Sequence, residues 1–189
     1  VGLAMRGFRP VVEIQFDGFV FPAFDQIVTQ VAKHNARSAG RTPMPITIRI
    51  PYGGGIGAVE HHSESPEAYF AHTAGLRVIS PSNPLDAFVM VQQAIACPDP
   101  VIFFEPKRIY RQYKEDVPDD GEALPLDVCF VLRDGADVTL VTWGAQVKEA
   151  LEAADALAKE GISAEVIDVA TLKPLDFDTI AESVKKTGR

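Results

Sequence analysis

Ile46, Ile48 and Ile50 alternate with Thr47 and Arg49, a period of two that predicts a strand, and Pro51 closes it because proline has no N–H for the ladder. Val11 to Phe16 (VVEIQF) has the composition of a buried strand, with Glu13 and Gln15 on the same face as Val11. Two polar groups on such a face need backbone partners or a polar ligand. Phe24, Ile27, Val28, Val31 and Ala32 recur at helical spacing, so a helix that Pro22 can begin lays one apolar stripe on a sheet; Ser38 and Gly40 mark its end. Ser65 and Pro66 are placed to cap and begin a short helix to His72, Arg77 to Ser80 reads as a strand, and Asn83 with Pro84 opens a helix carrying Leu85, Phe88, Val89 and Ile95. Val101 to Phe104 is a further buried strand, followed by the charged run Glu105, Lys107, Arg108 and Arg111. Such a run is commonly a solvated turn, although the carboxyl end of a strand in an α/β sheet is also where ligands or partner chains dock.

Residues 112–126 lose all periodicity and turn acidic and proline-rich, which predicts a linker. Beyond it, strand Val138 to Thr142, a helix with Val147, Ala150, Leu151, Ala154 and Leu157 on one face, strand Ala164 to Val169 and a helix from Asp176 make a β-α-β-α series with a parallel sheet. The fold class is therefore α/β: one parallel-sheet unit over 1–111, the linker, and a second, incomplete α/β unit over 127–189. The chain opens on Val1 in what reads as the last turns of a helix, so we expect a fragment.

A formal charge of −8 argues against nucleic acid or an anionic membrane as partner. Cys97 and Cys129 are too few and too far apart for a disulfide scaffold or a cysteine metal site, and no apolar run reaches spanning length. A cytoplasmic protein is expected, or one of the mitochondrial matrix in a eukaryote. The stretch with most chemistry is Arg49 to His72, where Gly53, Gly54, Gly55 and Gly57 precede His61 and His62. Histidine is the side chain that titrates near neutrality. The two are adjacent rather than one helical turn apart, which disfavours joint metal ligation. Dinucleotide, P-loop, zinc-protease and serine-hydrolase motifs are all missing from the sequence.

The phrases GFRPVVEIQF, FPAFDQI, HSESPEAYFAH, GLRVISPSNP and FFEPKRIYR, with TLVTWGAQV and KPLDFDTI further on, together resemble the β subunit of the thiamine-diphosphate-dependent 2-oxoacid dehydrogenases. FFEPK and SPEAYFAH resemble the branched-chain members more than the pyruvate ones. The resemblance implies a pyrimidine-binding domain followed by the start of a transketolase-type C-terminal domain, within an α2β2 heterotetramer whose product passes to a lipoyl acyltransferase component. It implies that a 2-oxo acid is decarboxylated on thiamine diphosphate, that His62 is catalytic, and that Gln15 and Phe19 contact the cofactor's pyrimidine ring. It further implies a structural potassium site at Ile46, Ala94, Ile95, Cys97 and Asp99, with Cys97 where the family usually has Asp. Glu64 stands where the family has Gln, and the family's pyrimidine-protonating glutamate is expected upstream of Val1. The family's G-D-G diphosphate motif is missing, so the diphosphate and Mg²⁺ are expected on the α subunit. A pyruvate or acetoin dehydrogenase β subunit, and a non-catalytic assembly module, remain alternatives.

Overall fold

The structure is a computed structural model that describes residues 1–121 and 123–189; Glu122, inside the expected linker, lies outside the described residues. After a first turn of helix, α1 (Gly2–Met5), come β1 (Val11–Glu13), α2 (Phe21–Gln26), α3 (His34–Arg37), β2 (Thr47–Tyr52), α4 (Glu67–Ala71), β3 (Arg77–Ile79), α5 (Pro84–Ala96) and β4 (Val101–Pro106). The second half holds β5 (Phe130–Arg133), β6 (Val138–Thr142), α6 (Val147–Lys159), β7 (Ala164–Asp168), β8 (Thr171–Lys173) and α7 (Phe177–Thr187).

Strands β1, β2, β4 and β3 lie side by side in that order, all parallel, with Ile48 opposite Val12 on one side and Ile102 on the other. The central strand β4 is buried on both faces, which is why it reads as a nearly continuous apolar run, while β2 keeps its alternation with Arg49 only partly buried. Strand β1 differs from the sequence expectation. It is an edge strand of three ladder residues with Val11 at 47% and Val12 at 43% exposure, because only β2 covers it. The expected long helix after Pro22 is interrupted: α2 passes into a π-type turn over Ile27–Val31 before α3 resumes, and Ile27 and Val31 still face the core. Helix α4 starts at Glu67, one residue later than expected; Pro66 precedes it and Ser65 makes no capping bond. Asn83 does cap α5, its side chain accepting from Asp86 N at 2.8 Å, and Asp176 caps α7 by accepting from Thr179 N at 3.1 Å.

The second sheet has the order β5-β7-β6. Strands β6 and β7 are parallel as expected, but β5, which the sequence reading left without an element, runs antiparallel to β7. Strand β8 was likewise not anticipated. It leaves the second half and pairs antiparallel with β3, so it becomes the outer strand of the first sheet. Ser80 N donates to Ala170 O at 2.8 Å beside it. Leu126, Phe130 and Ala170 then pack on Ile79, Met90 and Phe103. Gly144 completes the seam: a Cβ there would lie 2.7 Å from Ser80 Oγ and 2.8 Å from Tyr52 OH, a closeness only glycine permits.

Candidate functional site

The carboxyl ends of β1, β2 and β4 gather the polar side chains that the apolar strands exclude. Past β1, Phe16 leads into a 3-10 turn, Asp17–Val20. Past β2, the glycine loop folds back so that Gly53 N donates to Glu64 O at 2.8 Å, and a second short turn, Glu60–His62, lies against the first. Gly18 is the contact point, since a Cβ there would sit 2.6 Å from His61 Cα and 2.7 Å from His61 O.

His62 is partly exposed. Its ring stands 4.3 Å from the Phe16 centroid at 65° and 6.1 Å from the Phe19 centroid at 71°, edge-to-face arrangements in both cases. Phe19 is itself 48% exposed and packs on Phe16 at 6.0 Å. Gln15, one residue before, is exposed. Of the residues expected from the sequence, the structure thus brings His62 and Phe19 together, with Gln15 beside them along the chain. His61 is exposed, with its main chain against Gly18.

Behind this aromatic surface lies an ion pair that the sequence did not reveal. Lys107 Nζ donates to Asp17 Oδ1 at 3.0 Å and Oδ2 at 2.9 Å, with the two side chains at 5% and 0% exposure. The signal available was faint: Asp17 and Lys107 are 90 residues apart, and each directly follows an apolar strand segment. Further along the same edge, a cavity of about 530 Å³ is walled by Gly53, Gly55, Glu67, Arg108 and Trp143. Burial pushes the Glu67 carboxyl above its ordinary value, and the Trp143 indole N–H, 3.5 Å from Oε1, partly offsets this.

Around the residues expected to hold potassium, several oxygens already have donors. Arg9 Nη1 donates to the carbonyls of Ile95 at 2.9 Å, Ala96 at 2.8 Å and Cys97 at 3.0 Å. Ile46 O accepts from Val101 N at 2.9 Å, Asp99 pairs with Arg77 at 3.0 Å, and Ala94 is buried. Any added cation would compete with the guanidinium of Arg9 for these carbonyls. Among the described residues, no group of three or more His, Cys, Asp or Glu side chains is arranged for a metal ion.

A parallel sheet with polar side chains gathered at its strands' carboxyl ends, followed by a second α/β unit, defines an α/β protein of the doubly layered kind. The chain belongs to the transketolase family: residues 1–112 match the transketolase pyrimidine-binding domain and residues 128–189 the transketolase C-terminal domain. Over its whole length it is 57% identical to the pyruvate dehydrogenase E1 component subunit beta of Leifsonia xyli and 54% identical to the 3-methyl-2-oxobutanoate dehydrogenase subunit beta of Mycobacterium tuberculosis, covering 56% and 54% of those proteins. It is 47% identical to the pyruvate dehydrogenase E1 component subunit beta of Bacillus subtilis, covering 58% of it. The chain thus spans about half the length of the curated relatives it matches. Among solved structures, a split-gene transketolase described as an inactive beta4 tetramer superposes with a TM-score of 0.80 at 26% identity, over 99% of this chain and 57% of that one.

The family implies thiamine diphosphate, and the residues present fit one end of it. Phe16, Phe19 and Gln15 offer aromatic faces and an amide to a flat heteroaromatic ring. The ammonium adjacent to that surface, Lys107, is already paired with Asp17.

Proposed function

We propose that this chain is part of the β subunit of a 2-oxoacid dehydrogenase, and that it acts with an α partner that holds the diphosphate and Mg²⁺. The cofactor supplies the carbanion chemistry of decarboxylation when bound. This chain's own part is to present Phe19 and Gln15 to the pyrimidine ring and His62 to the acyl-transfer step, in which the imidazolium gives a proton to the lipoyl sulfur released as the dithiolane opens. The observation that supports this reading is the placement of His62 in contact with Phe16, beside Phe19, at the rim of the parallel sheet. An α2β2 assembly delivering to a lipoyl acyltransferase is the matching quaternary reading.

A branched-chain 2-oxo acid such as 3-methyl-2-oxobutanoate is the substrate the FFEPK and SPEAYFAH phrases favour. Pyruvate is the second reading, favoured by the 57% identical relative. A panel of 2-oxo acids assayed on the full-length subunit with its α partner separates them. In that assembly, His62→Ala is expected to lose reductive acylation of the lipoyl domain by roughly 10²–10⁴-fold while decarboxylation with an artificial electron acceptor continues. Equal loss of both half-reactions, or failure to assemble, would refute the proton-donor role. His61→Ala is the silent control.

A further inference from the structure

The turn that carries His62 has little support of its own. It is three residues long, has no side-chain cap and begins at Glu60 with φ +46°. Its local bonds are His62 N to Val59 O at 3.4 Å and Ser63 N to Glu60 O at 2.9 Å, with Ser63 Oγ donating to Ala58 O at 2.7 Å. Its position is set from outside. Besides its two bonds to Asp17, Lys107 Nζ donates to the main-chain oxygen of His62 at 2.7 Å, which uses all three donors of the ammonium. The same ammonium lies 5.7 Å from the centroid of Phe16, whose ring touches the imidazole. One buried cation therefore fixes the carbonyl of His62 and the ring that His62 leans on.

A buried ion pair is a poor means of stabilising a fold, since apolar side chains of the same volume often do as well or better. What apolar residues cannot supply is a donor aimed at a chosen carbonyl. We propose that Lys107, locked by Asp17, is a positioning residue for His62: it holds the imidazole in the orientation from which the proton is delivered. The ammonium itself neither touches the acyl group nor transfers a proton. The inference rests on the reading of His62 as the proton donor, and its test separates the two.

In the full-length subunit assembled with its α partner, the double variant Asp17→Asn with Lys107→Met removes both charges and leaves neither buried alone. We expect the assembly to form, decarboxylation to persist, and kcat for lipoyl acylation to fall roughly 10- to 100-fold, the loss that follows a misplacement of about 1 Å, with KM for the lipoyl domain unchanged. In ¹³C-histidine spectra the ring-current shift that Phe16 imposes on His62 should diminish, a signature that a purely stabilising pair would not move. Lys107→Arg is the second variant; it keeps the charge opposite Asp17 but displaces the donor from the His62 carbonyl, and should show the same selective loss. Normal acylation in either variant, equal loss of both half-reactions, or an unmoved His62 resonance overturns the proposal. His62→Ala run alongside judges the proton-donor role separately: if it spares acylation that role fails, and the resonance alone then decides positioning.

Discussion

Replacing Asp168 with Asn removes a carboxyl from the seam between the two halves, and its effect on stability can be worked out from its surroundings. Asp168 ends β7 with no exposure. Its Oδ1 accepts from Ala170 N at 3.0 Å, while Oδ2 has no partner among the described residues. Burial is the largest cause of a pKa raised from 3.8 to about 6; the Ser82 hydroxyl and the Ala170 N–H act against it, and the Asp86 carboxylate adds to the rise. Between those two values the folded protein keeps a proton that the unfolded chain has released, so stability must fall as pH rises. The contribution is complete below the unfolded value and is lost as pH climbs through the folded one. A shift of about two units at about 1.4 kcal/mol each is worth roughly 3 kcal/mol. Glu67 and Asp86 are also raised by burial and bend the curve the same way, so the informative quantity is the difference between wild type and Asp168→Asn. Urea unfolding at pH steps from about 4 to about 7 should show that difference changing by up to roughly 3 kcal/mol. Parallel curves for the two proteins across the window would refute the assignment.

Two further substitutions probe the sheet and the site. Phe70 is fully buried, with Phe24 at 5.4 Å and Phe104 at 5.7 Å. Phe70→Ala should destabilise by about 3–5 kcal/mol in denaturant unfolding, with an unchanged slope. Gly18→Ala drives a methyl into the main chain of His61. It should cost about 1–3 kcal/mol and, by displacing the adjacent His62, slow lipoyl acylation more than decarboxylation in the assembled enzyme.

The parts of the fold legible in the sequence are those whose cause is local. The alternation around Ile48 and Ile50 and the Asn83 cap before Pro84 need no distant partner to act and are where the pattern put them. Pro51, by contrast, does not close the strand: β2 pairs with β4 through Pro51 to Tyr52, because the proline lacks only its own N–H and the ladder continues on either side of it. Strand β5 escaped notice because Val131 and Leu132 are adjacent apolar residues, 51% and 42% exposed, that show no alternation. Strand β8 escaped because its three residues take their ladder from β3, almost a hundred positions earlier. Strand β1 looked buried because Val11 and Val12 are strongly strand-forming, but burial depends on what lies alongside, and β1 has a neighbour on one side only. At the site, His62, Phe19 and Gln15 came from resemblance to a family, whereas Asp17 and Lys107 carry no spacing signal; they meet only because the parallel strands β1 and β4, on either side of β2, end at the same rim.

The central claim is that this chain offers the pyrimidine side of a thiamine diphosphate site and leaves the diphosphate to a partner. Calorimetric titration with thiamine diphosphate and Mg²⁺ tests it most directly, on this chain, shown folded by circular dichroism, and on the full-length subunit assembled with its α partner. The account predicts binding to the assembly and no binding in the micromolar range to the chain alone; micromolar or tighter binding by the chain alone would contradict it.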